Sequence, residues 1–199
     1  MYLINYHAGV GLLLHAQLGI AMAVLFLLHH ILNLGWYRAL FRGHYSLRRS
    51  ILTVTDLLLL VFMTAMLAGA VMISGMVFPF SAIPVKAGWR TVHVAASSLT
   101  FLLMAVHLGI HLHGPLGRLD RRWKDSAFEY VWYLLGVVVF AAGCFCLAQS
   151  RVPGNLMPEG NPLAYGYSDF IQWAFDGVAM LGICFPIHWL YKAIDITVQ

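Results

Sequence analysis

Five apolar runs, at about 9–36, 51–79, 90–112, 127–149 and 170–191, constrain this chain more than any other feature. A helix needs about 20 residues to cross roughly 30 Å of hydrocarbon, and each run meets that length. Hydrophobic residues make up 61% of the chain and charged residues 10%. A water-facing surface normally requires about a quarter charged residues, so the composition places the chain in a bilayer. The expected fold is all-α and integral to the membrane: an up-and-down bundle of five transmembrane helices forming one domain over residues 1–199. The connections are too short for a separate soluble domain, the longest running from about Ser150 to Asp169.

Charge sets the expected orientation. Arg38, Arg42, Arg48 and Arg49 follow the first run, and Arg118, Arg121, Arg122 and Lys124 follow the third. The second and fourth are followed only by Lys86 with Arg90, and by Arg151. The positive-inside rule then puts the N-terminus outside and the C-terminus in the cytoplasm, as in a multi-pass protein of a prokaryotic inner membrane. The opening MYLINYHAG lacks the basic start of a secretory signal, so the first run reads as a retained helix. The basic residues form no surface interleaved with aromatics, which excludes a nucleic-acid partner. Cys144, Cys146 and Cys184 fall within apolar runs as small fillers, and no CxxCH motif is present for covalent haem attachment.

Within this frame one histidine interval occurs twice. His15 and His29 are 14 residues apart in the first run, and His93 and His107 are 14 apart in the third. In a helix that interval returns two side chains to within about 40° of one face, roughly 21 Å apart along the axis. The two helices have one helix between them and so run in the same direction. Both pairs can therefore face each other, His15 with His93 at the outer level and His29 with His107 at the inner. Imidazole is a strong axial donor to haem iron, and two imidazoles saturate the metal as an electron carrier. Four histidines matched in depth and interval predict two b-type haems, with iron ligands His15, His29, His93 and His107. His30 and His111 are the alternative inner ligands. Gly11, Gly19, Ala96 and Ser97 leave room near the ligands, and Asn33 is a candidate for supporting hydrogen bonds.

Other polar residues have plainer readings. Asp56 could relay protons near the inner haem, or pair with Arg48 or Arg49 at its helix start. Asp176 could serve an outer quinone site, or bond a neighbouring helix. His111, His113, Trp36, Arg38 and Arg42 suit haem propionates or head groups, while His7 and His188 suit interfaces or packing. The Pro-bearing connection at Pro79 and Pro84 and the Pro-, Gly- and Tyr-rich stretch before Asp169 read as outer loops, the latter a docking surface.

The H-x13-H pattern on two helices separated by one helix resembles the N-terminal haem domain of cytochrome b, over about residues 9–149. A similar arrangement occurs in ferric-reductase-like membrane cytochromes. The resemblance implies that His15 with His93 binds the outer haem and His29 with His107 the inner one. The P-E-W quinol-site motif of cytochrome b is absent, as is the nucleotide motif of a complete ferric reductase. The five-helix, N-outside layout is similar to the haem subunits of respiratory nitrate reductases, which distribute their histidines differently. The expected function is a dihaem cytochrome b subunit in a respiratory oxidoreductase complex, carrying electrons between the quinone pool and redox partner subunits. It would be an electron-transfer subunit rather than a complete enzyme, with quinone as a further ligand. The rival from another class is haem-free: a membrane anchor subunit, or a metal or proton transporter built on His and Asp.

Overall fold

The computed structural model describes residues 11–74, 87–156 and 169–197. His7, Pro79, Pro84 and the 157–168 part of the supposed docking stretch lie outside these residues. Every described element is a helix: α1 Leu12–Leu32, α2 Leu34–Ala39, α3 Leu47–Ile73, α4 Ala87–Trp123, α5 Ala127–Gln149, α6 Arg151–Gly154 and α7 Asp169–Thr197. Five of them, α1, α3, α4, α5 and α7, are long and apolar enough to cross a membrane.

Local chemistry explains the ends. Asn33 closes α1, its side-chain amide donating to the His29 carbonyl at 2.7 Å, so the helix stops short of the expected residue 36 and α2 starts afresh. Ser46 opens α3 by accepting from the Arg49 amide at 3.3 Å, satisfying one of the helix's orphan donors. The Arg49 guanidinium then holds the turn between α2 and α3, donating to the carbonyls of Ala39, Arg42 and His44. Gly43 sits in that turn at φ +76, a conformation a side chain would strain.

The largest departure from expectation is α4. It continues past residue 112, through Pro115, to Trp123. Arg118, Arg121 and Arg122, expected in a loop, are therefore helical. Proline removes one intrahelical hydrogen bond, but the extension gains side-chain bonds to α7, including Lys192 to Asp120 at 2.7 Å. The end of α7 likewise runs beyond the expected 191, through Pro186. Ser150 starts the one-turn α6 by accepting from the Val152 amide, where only loop was foreseen.

Helices α3 and α4 run antiparallel, while α4 and α7 pack side by side in parallel. Asp56 and Met66 of α3 meet His107 and His93 of α4, an antiparallel match, whereas Cys184 and Lys192 of α7 meet Ala105 and Asp120 of α4 in the same order. Small residues set the tightest contacts. A Cβ built at Gly143 of α5 would stand 2.6 Å from the Gly182 Cα of α7, and the reciprocal atom would do the same. At Gly69 of α3 it would stand 3.0 Å from the His93 Cβ.

Helix α1 is the exception: none of the residues in its apolar span is buried. It leans on the bundle through Met22 and Phe26, which pack against Met63, Met66 and Ala96. Polar side chains at Thr55, Ser98, Thr100, Gln172, Asp176 and His188 are buried, while many leucines and valines of α1, α3 and α5 face outward. That distribution inverts a water-soluble globule and suits hydrocarbon.

Candidate cofactor site between helices α1, α3 and α4

His15 and His93 face each other across α1 and α4, their ring centroids 6.2 Å apart and planes at 72°. A metal–imidazole bond is about 2 Å long, and the ring centre lies roughly 1 Å behind the nitrogen, so two imidazoles on one metal place their centroids about 6 Å apart. The observed separation matches that value. His93 is held from behind, its Nδ1 lying 2.9 Å from the Met66 carbonyl of α3. A carbonyl only accepts, so Nδ1 carries the hydrogen and the lone pair is left on Nε2. Gly69, one turn further along α3, lets the His93 backbone come this close. On α1, a Cβ at Gly19 would meet nothing within 4 Å, so the face one turn from His15 is open.

The inner four histidines are less closely assembled. His107 lies 4.5 Å from His111 between ring centroids on α4, and His29 lies 5.7 Å from His30 on α1. His29 and His107 are not in ring contact; His29 is exposed and lies within electrostatic reach of His111. His30 is half-buried between Phe26 and Tyr37, whose hydroxyl is 2.6 Å from its Nδ1. His107 Nδ1 lies 2.9 Å from a carboxylate oxygen of Asp56.

That last contact corrects the pairing expected for Asp56. Arg48 bonds Asp195 at 2.8 Å and Arg49 is spent on backbone carbonyls, so neither takes the Asp56 carboxylate. The residues are 51 apart in sequence, and only the antiparallel register of α3 and α4 brings them together. Tyr37 and the Met66 carbonyl were likewise missed. A backbone carbonyl has no sequence signature, while Tyr37 lies seven residues beyond His30, about two helical turns.

A second polar group occupies the basic end of α4, α5 and α7. His188, 1% exposed at its side chain, lies 3.2 Å from Asp120 and 3.1 Å from His113, which in turn lies 3.3 Å from Asp195. Asp120 also accepts from Lys192 at 2.7 Å and from the Trp132 indole at 2.8 Å, and Lys192 reaches the Tyr133 hydroxyl. His113, Asp120, His188, Lys192 and Asp195 border a cavity of about 340 Å³ that Arg121, Lys124 and Glu129 also line. His188, expected at an interface or in packing, is a buried member of this network.

Among the described residues, no three His, Cys, Asp or Glu side chains converge on a point where they would hold a bare metal ion. Iron in a porphyrin already has four nitrogen donors and asks the protein for two, one from each side. The chemistry of the facing pair His15 and His93 fits that demand. Comparison with protein-family models, with curated proteins and with solved structures gives no match.

Proposed function

We propose that the chain is a dihaem cytochrome b subunit of a membrane oxidoreductase complex, conducting electrons between the quinone pool and a redox partner. The observation that carries the reading is the 6.2 Å apposition of His15 and His93, with His93 held so that its Nε2 lone pair faces away from Met66. His15 with His93 would hold the outer haem, and His29 with His107 the inner one. When bound, the haems would supply one-electron transfer. His15 with His93, and His29 with His107, would give each haem two imidazoles, so no coordination position would remain for a small molecule. Met22 and Phe26, packed on Met63 and Met66 between the two levels, keep that depth of the bundle apolar. The five long apolar helices support a multi-pass location in the cell membrane.

The test is colour. Purified protein should show reduced b-type absorption bands and a pyridine haemochrome equivalent to about two haems per chain. His15→Ala and His93→Ala should each remove one haem, and His29→Ala and His107→Ala the other. Folded protein without absorption in the visible would refute the reading. The hydrogen-bonded row of His113, buried His188 and Asp120 favours a second one, a His- and Asp-based proton transporter without haem, and the same spectrum separates them.

A further inference from the structure

The two levels of the candidate site are supported by chemically different groups. Behind His93 stands a neutral acceptor, the Met66 carbonyl, at 2.9 Å from Nδ1. Behind His107 stands an anionic one, the Asp56 carboxylate, at the same 2.9 Å. Both come from α3, which lies on the far side of each ring from the lone pair it orients.

A hydrogen bond from imidazole to a carboxylate is charge-assisted and stronger than one to an amide carbonyl. It draws the Nδ1 hydrogen outward and returns electron density to the ring, so Nε2 becomes the better donor. Little water reaches the contact: the side chains of His107 and Asp56 are 23% and 18% exposed, so solvent screens the effect weakly. A better donor with a negative charge behind it favours the higher oxidation state of any metal it binds. Hydrogen bonding to an axial ligand is among the recognised means by which a protein sets a haem potential.

We infer that Asp56 is a positioning residue that selects His107, rather than its neighbour His111, as the inner axial ligand and holds the inner haem at a lower potential than the outer. This rests on the dihaem reading above. It adds to that reading a polarity: an electron entering at the inner level moves to the outer level downhill. His111 shares the face of α4, 4.5 Å from His107, and Asp56 is within its electrostatic reach, but among the described residues no carbonyl or carboxylate is hydrogen-bonded to its ring.

The experiment is a redox titration of detergent-solubilised full-length protein, followed optically, for the native chain, Asp56→Asn and Asp56→Glu. His15→Ala and His107→Ala, each lacking one haem, assign the two components. Asparagine keeps the size and loses the charge, so the component absent from His107→Ala should shift upward. At a fixed potential its reduced-to-oxidised ratio should rise about tenfold, equivalent to 59 mV for one electron, while the other component stays in place. Asp56→Glu should lie close to the native protein. Unchanged potentials in Asp56→Asn, or an equal shift of both components, would overturn the inference. If Asp56→Asn retains a single haem, Asp56→Glu decides: recovery of the second haem near its native potential supports the role, and continued loss overturns it. A native protein with no haem would fail the dihaem reading itself, a result distinct from all of these.

Discussion

Gly69 is where a single methyl group tests the outer level of the site. An alanine Cβ there would lie 3.0 Å from the His93 Cβ and 3.2 Å from its Cα and backbone nitrogen. Carbon atoms in comfortable contact sit about 3.5–4.0 Å apart, so α3 and α4 would have to part locally by roughly 0.5–1 Å. The obstructing atoms are mostly backbone, inside a 37-residue helix, and no rotamer change removes them. Overpacking of this kind costs about 1–3 kcal/mol, whereas replacing glycine by alanine in a helix interior gains about 0.8–1 kcal/mol. The difference leaves Gly69→Ala between neutral and about 2 kcal/mol destabilised, and Gly69→Val, with two more methyl groups, at about 3 kcal/mol or beyond. Gly88 of the facing helix α4 is the control, since a Cβ there meets nothing within 4 Å and Gly88→Ala should not destabilise. Thermal unfolding in detergent measures both. The displacement also moves His93 relative to Met66 and His15, so Gly69→Val should lower the haem signal assigned to His15 and His93 and spare the other. A Gly69→Val protein that melts with the native one and keeps both spectra would refute the packing argument.

Two other changes probe the bundle apart from the haem reading. Gly143→Val should separate α5 from α7, because even the first carbon added would stand 2.6 Å from the Gly182 Cα; a loss of about 3 kcal/mol is expected in the same melting assay. Asp120→Asn removes the charge that Lys192, His188 and the Trp132 indole all address, at a side chain only 9% exposed, and should cost about 2–4 kcal/mol. Asp195→Asn, whose bond to Arg48 joins side chains 38% and 44% exposed, should cost under about 1 kcal/mol, and equal losses at the two aspartates would contradict the difference in burial.

The sequence by itself determined the helical class, the number of long apolar helices and the common level of His15 and His93. Each follows from a periodic or cumulative property of the chain: run length against bilayer thickness, and a 14-residue interval against the 3.6-residue turn. Where helices end was less legible, because Pro115 interrupts the local pattern and the bonds that carry α4 onward come from Asp120 to Lys192, 72 residues away. What stands behind each histidine was not legible at all. The same aspartate could have met Arg48, Arg49 or His107, and only the register of α3 against α4 gave it to His107. The tertiary structure also decided that the rings of His15 and His93 meet while those of His29 and His107 do not. A spacing fixes the level of a side chain on its own helix, but the distance across to its neighbour depends on packing at Gly69, Met22 and Phe26.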